Sequence, residues 1–88
     1  MPFDDEAHAY ELANDTDYGL TNYVQTQDPA KAKRAACAMR AGMIRINGDG
    51  GAAPSPFGGY KQSGNGREGG KWGIEDFCEI KHISGWTL

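Results

Sequence analysis

Apolar positions along the chain come in short bursts, and their period changes from one burst to the next. Ala9, Tyr10, Leu12 and Ala13 form a weak apolar face. Asp4 and Asp5 stand ahead of it, where acidic side chains cap a helix and suit its dipole. This pattern predicts a helix to about Ala13, broken by the turn formers Asn14, Asp15, Thr16 and Asp17. Gly19 is expected at positive φ. Leu20 to Thr26 reads as a strand carrying the β-formers Thr21, Tyr23 and Val24. Asp28-Pro29 then marks a helix start, with Asp at the N-cap and Pro in the first turn. That helix is expected to run to about Ala41 and to stop at Gly42. Its alanines, Ala32, Ala35, Ala36 and Ala38, suit close packing on a sheet. Met43 to Asn47 is the next strand.

Strand, helix and strand in this order predict an α/β fold built on a right-handed βαβ unit with parallel strands. Parallel strands are normally covered on both faces and flanked by others. Two short strands and two helices leave open edges and a thin core, so the pattern reads as a piece of a larger parallel sheet. Gly48 to Ser55 is a loop of small residues. Gly69 to Phe77 reads as a short helix anchored by Trp72, Ile74 and Phe77. Glu79 to Ser84 is expected as a final strand, with Ile80 and Ile83 among Glu79, Lys81 and His82, and Trp86 closing the tail.

Between these elements lies Pro56 to Gly70, too rich in glycine for a helix or strand interior. It also carries Phe57, Tyr60, Lys61, Arg67 and Glu68, which flexible linkers lack. Such a backbone approaches something closely: a ligand, another segment of chain or another subunit.

Composition narrows the picture. Eighty-eight residues allow one marginal domain at most. A net charge of −3 leaves no basic footprint for nucleic acid or an anionic membrane. Lys31, Lys33, Arg34 and Arg40 cluster on the second helix and are read as a solvated face. No apolar run approaches the roughly 20 residues of a membrane span. The acidic start, Met1 to Asp5, does not open a signal peptide. Cys37 and Cys78 fit neither a metal nor a disulfide spacing and are expected as reduced, buried thiols in a cytoplasmic protein. His8 and His82 are isolated, so no metal site is expected.

Gly64 to Gly69 matches GxGxxG, but a dinucleotide fingerprint needs a buried strand immediately before it, and Tyr60 to Ser63 is no such strand. Nor is it a phosphate loop of the Walker type, because Arg67 and Glu68 follow Gly66. A tight, packed backbone is the better reading.

Pro56-Phe57-Gly58-Gly59-Tyr60-Lys61-Gln62-Ser63-Gly64, with Gly66-Arg67-Glu68 after it, resembles the last signature of the NAD(P)-dependent aldehyde dehydrogenases. Asn14-Asp15-Thr16-Asp17-Tyr18-Gly19-Leu20 resembles the signature before it, and the two stand in the family's order. The resemblance covers nearly the whole chain. It implies the C-terminal end of a longer enzyme, with 1–77 in the catalytic domain and 78–88 as an oligomerisation strand and tail. It implies NAD or NADP as cofactor of that enzyme, with none bound by this chain alone. The nucleophilic cysteine, the general-base glutamate and the contacts to the nicotinamide ribose would lie upstream of Met1. The implied partners are a small aldehyde, the remainder of the polypeptide and other subunits of a homo-oligomer.

The resemblance also assigns residues. Phe57 would line the substrate tunnel, and the small loop residues Gly50, Gly51, Ala52 and Ala53 suggest a roomier mouth. Glu68 would be a buried carboxylate passing protons from the base toward solvent; a plain salt bridge is the alternative. Arg67 and Glu79 would form part of a subunit contact. Asn47, ending its strand, is expected to order the following loop. Two other readings stay open: a stand-alone module that binds intact subunits through its last strand, and a small anion-binding module using its glycine-rich loop.

Overall fold

The computed structural model describes residues 1–87. Helix α1 spans Glu6–Asn14, and the Asp5 carboxylate caps it by accepting from the His8 N–H at 2.8 Å. Strands β1 (Tyr18–Gly19) and β2 (Thr21–Val24) follow. Helix α2 (Pro29–Ala38) starts as its sequence dictates: Asp28 accepts from the Ala30 N–H at 2.9 Å, and Pro29 occupies the first turn. Then come β3 (Met43–Ile46), β4 (Tyr60–Lys61) and the short helix α3 (Gly70–Glu75).

The strands form two separate pairs. β2 and β3 run parallel, in register from Thr21 opposite Met43 to Val24 opposite Ile46, with α2 as their connection. β1 and β4 pair antiparallel, Tyr18 opposite Lys61 and Gly19 opposite Tyr60. The second pair joins segments that no local pattern links.

α2 ends at Ala38, before the Gly42 stop signal. Its carbonyl end is taken over by a side chain: Asn14 Nδ2 donates to the Ala38 carbonyl at 2.9 Å, and Asn14 Oδ1 accepts from the Arg40 N–H at 2.8 Å. The freed chain turns extended at Met39. The two helices are also tied directly. Arg34 Nε donates to Glu6 Oε1 at 2.7 Å and Arg34 Nη2 to Glu6 Oε2 at 3.1 Å. Tyr10 donates to Glu6 Oε1 at 2.5 Å. Arg34 stays exposed, as a solvated face requires, while making this ion pair. The hydrogen bond from Arg34, reinforced by that from Tyr10, holds the Glu6 carboxyl down to about 2, and the same contact raises the Tyr10 hydroxyl.

Little of this is buried. Among the described residues the buried apolar side chains are Ala35 and Ala41, while Phe77, Ile80 and Trp86 stand exposed. The molecule is long and thin, 62 × 26 × 21 Å.

Three expectations need correcting. Glu79 to Ser84 forms no strand among the described residues and is exposed throughout. A strand exists only through a hydrogen-bonding neighbour, and no described segment lies beside this one. Cys37 and Cys78 are exposed rather than buried; α2 buries only Ala35, so the rest of its circumference faces outward. Gly19 does not take positive φ. It is small because it is crowded: a Cβ there would stand 2.6 Å from the Arg40 carbonyl oxygen and 3.1 Å from Tyr60 Cβ.

Candidate functional site

The glycine-rich stretch folds back on itself, and its backbone is packed against backbone. Gly42, just before β3, lies against the Gly58 carbonyl, with no space for a Cβ between them. Gly58 in turn lies against the Gly66 carbonyl and the Arg67 side chain. Gly59 would place a Cβ 2.5 Å from Ser63 Cβ. Of the three partners weighed for this backbone, the structure places another segment of the same chain against it.

The fold-back brings Phe57 and Glu68 face to face. Phe57 N–H donates to the Glu68 carbonyl at 2.8 Å, and Glu68 N–H donates to the Phe57 carbonyl at 2.7 Å. The Phe57 ring stays 44% exposed. It stands at a groove of about 450 Å³ beside β3, lined also by Met43, Ile44, Arg45, Ile46, Asp49 and Ser55, with Gly50 and Gly51 at the loop. The Asp49 carboxylate accepts from the Gly51 N–H at 2.7 Å, and Ser55 Oγ donates to the Ala52 carbonyl, so both polar loop side chains are engaged within the loop. What remains is a mostly apolar wall, suited to holding a carbon skeleton, with Arg45 as its one cationic member.

Glu68 is exposed in this chain. Its backbone is fixed by Phe57, but no described segment lies over its side chain. Glu79 is likewise exposed, and it makes no ion pair with Arg67 within the described residues. Arg67 is instead turned inward. Its Nη1 donates to the carbonyls of Gly59 at 2.9 Å, Asn65 at 3.1 Å and Gly66 at 2.9 Å. Its own N–H donates to Asp76 Oδ2 at 2.8 Å. The guanidinium also lies 6.0 Å from the centroid of the Tyr60 ring, and that of Arg40 lies 5.9 Å from it.

This arrangement bears on cofactor and anion binding. A phosphate cradle turns backbone N–H groups inward. Here the concave side of the turn presents three carbonyl oxygens, and a guanidinium fills it. The Gly64 to Gly69 stretch therefore does not fit a dinucleotide pyrophosphate, and the same geometry opposes an anion-binding loop.

Asn47 closes the parallel pair. Its Oδ1 accepts from the Thr26 N–H and its Nδ2 donates to the Thr26 carbonyl, both at 2.9 Å. At φ 52° its backbone turns the chain out of β3. Its side chain thus orders the segment after β2, and its backbone starts the loop that follows.

Four residues escaped the sequence reading. Asn14 was legible only as a turn former, yet it joins α1 to the end of α2. Lys61 donates to the carbonyls of Asn14 at 2.8 Å and Thr16 at 3.0 Å, which satisfies the end of α1 from 47 and 45 residues away. Ser63 Oγ accepts from the Gly19 N–H at 2.9 Å. Asp76 holds the Arg67 N–H.

Comparison with known proteins agrees with this geometry. The model of the aldehyde dehydrogenase family matches residues 1–83. A 3-succinoylsemialdehyde-pyridine dehydrogenase of a Pseudomonas species is 48% identical over 86 residues, 98% of this chain and 18% of that protein. The crystal structure of an aldehyde dehydrogenase from Bartonella henselae matches with a TM-score of 0.91 at 53% identity, over 97% of this chain and 18% of that one. An aldehyde dehydrogenase of Mycobacterium tuberculosis, solved in complex with NAD+, matches with a TM-score of 0.86 at 40% identity, over 100% of this chain and 19% of that one. The chain thus spans less than a fifth of the length of these relatives.

Proposed function

Because the chain belongs to the aldehyde dehydrogenase family, we propose that it is the C-terminal piece of an enzyme that oxidises an aldehyde to a carboxylic acid with NAD or NADP. The observation that carries this reading is the Phe57–Glu68 pair, which stands an aromatic ring at a mostly apolar groove and fixes the backbone of Glu68 opposite it. In this reading Phe57 forms part of the substrate wall. Glu68 meets the remainder of the enzyme, where burial would raise its affinity for a proton and let it pass protons from the catalytic base. The nicotinamide, when bound elsewhere in the enzyme, accepts the hydride. The nucleophilic thiol belongs to another segment, for Cys37 and Cys78 do not line the groove. The exposed tail, with Glu79, Ile80 and Ile83, joins a neighbouring subunit, and Arg67 contributes to the same contact.

Burst kinetics on the longer enzyme test the assignment of Glu68. A cysteine thioester forms with release of NADH and is then hydrolysed, so the two steps separate in time. Glu68→Gln is expected to leave the NADH burst and to slow the steady rate that follows. Equal loss in both phases, or no loss, would remove the proton-passing role.

A further inference from the structure

Building on that reading, we propose that Asp76 is a positioning residue for the substrate wall: by holding the Arg67 amide it fixes the paired backbone of Phe57 and Glu68, and so the place of the Phe57 ring.

The argument begins with α3, which lies directly on the pair. A Cβ at Gly73 would stand 3.1 Å from the Glu68 carbonyl carbon, so helix and pair are in backbone contact. Asp76 follows the last residue of that helix and sends Oδ2 to the Arg67 N–H at 2.8 Å. Arg67 is the neighbour of Glu68, whose N–H and carbonyl make both bonds to Phe57. On the other side, the Arg67 guanidinium is fixed on the carbonyls of Gly59, Asn65 and Gly66. Arg67 is therefore held twice, by its side chain from upstream and by its main chain from α3.

The stretch needs this second hold. Gly64 and Gly69, on either side of it, sit at φ 104° and 83°, and glycine brings little conformational preference of its own. Without Asp76, the Arg67 N–H would have water as its partner, and the freedom of the turn would pass to Phe57. An acceptor oxygen held at this place spares the Arg67 N–H that exchange with water. Helix α3 has no use for an acid at this position, since the helix dipole disfavours negative charge at a C-terminus. The carboxylate serves the strand pair rather than the helix.

The test uses the full-length enzyme and the variants Asp76→Ala and Asp76→Asn. Asp76→Ala is expected to raise KM for the aldehyde by about tenfold, a change of about 1.4 kcal/mol, with KM for the cofactor unchanged. A general loss of stability would instead lower the active fraction and leave both KM values alone. Asp76→Asn keeps an acceptor oxygen at the same place and is expected to stay within about twofold of the parent KM. Hydrogen exchange read at the Phe57 and Glu68 amides provides a measure independent of activity, and both should lose protection in Asp76→Ala. An unchanged aldehyde KM in Asp76→Ala, failure of Asp76→Asn to restore it, or unchanged amide protection would each overturn the proposal. Inactivity of the unmodified enzyme toward every aldehyde would instead strike the functional reading, and the exchange measurement would still decide the role of Asp76.

Discussion

Gly42 and Gly58, sixteen positions apart, touch backbone to backbone: the space a Cβ of Gly42 would need is filled by the Gly58 carbonyl. This contact holds the start of β3 against the glycine-rich stretch, and so holds Phe57 beside its groove. Gly42→Ala forces one backbone away from the other. The expected loss of stability is at least about 1–3 kcal/mol, the usual range for overpacking. Urea unfolding of the longer enzyme checks it, and a midpoint equal to that of the parent would deny the contact.

Asn14 answers two backbone groups with one side chain, so its loss returns both groups to water. Asn14→Ala is expected to destabilise by about 0.5–1.5 kcal/mol, the usual net worth of a hydrogen bond that water can replace. Asn14→Asp keeps the acceptor for the Arg40 N–H but sets a carboxylate against the Ala38 carbonyl. It should therefore be no better than Asn14→Ala. Thermal unfolding of the two variants side by side gives the order.

Glu6 and Arg34 make the contact between α1 and α2 dependent on pH. The Glu6 carboxyl titrates at about 2 in the folded chain against an ordinary value of 4.5. A group whose folded value is lowered stabilises the fold above its unfolded value and loses that contribution as pH falls through the folded one. The α1–α2 contact should thus persist at neutral pH and weaken between about 4.5 and 2. A carbon-13 titration of the Glu6 carboxyl reads this directly. A midpoint near 4.5 would mean that Arg34 does not hold it.

Arg67 and Glu79 do not meet within the chain, which makes their proposed contact between subunits separable from local structure. Arg67→Ala removes the three-carbonyl contact and should disturb the single chain as well as the assembly. Glu79→Ala should affect subunit dissociation alone. A double-mutant cycle on dissociation is expected to show coupling, because removing one member of a desolvated pair strands the other charge. Additive effects would leave Glu79 as an exposed surface carboxylate.

The parts legible in the sequence are those set by neighbours in the chain. Asp28 and Pro29 start α2 because capping works over two or three residues, and the β-formers Thr21, Tyr23 and Val24 mark β2 by their own shapes. The strand pattern of Glu79 to Ser84 was equally legible, but a pattern specifies only one side of a pair, and no described segment lies beside it. The candidate site was legible as a stretch, through its glycines and Phe57, and not as a geometry. Its fixed points come from afar: Ser63 reaches Gly19 across 44 positions and Lys61 reaches Asn14 across 47. No local propensity encodes a partner at that distance. The early end of α2 belongs to the same class, since Asn14 decides it from another helix.

The long, thin shape with two buried apolar side chains has a meaning for the chain's fate in a cell. Quality-control machinery recognises unfolded protein by exposed apolar side chains and by accessible backbone. With Phe77 94% exposed and Trp86 70% exposed, this chain would present both signs while holding its native hydrogen bonds. Chaperones would bind it and proteases would cut it at the tail, as they do a misfolded chain. In the proposed enzyme the remainder of the polypeptide would cover residues 72–87, and its co-expression should then lengthen the lifetime of this chain more than any stabilising substitution inside it.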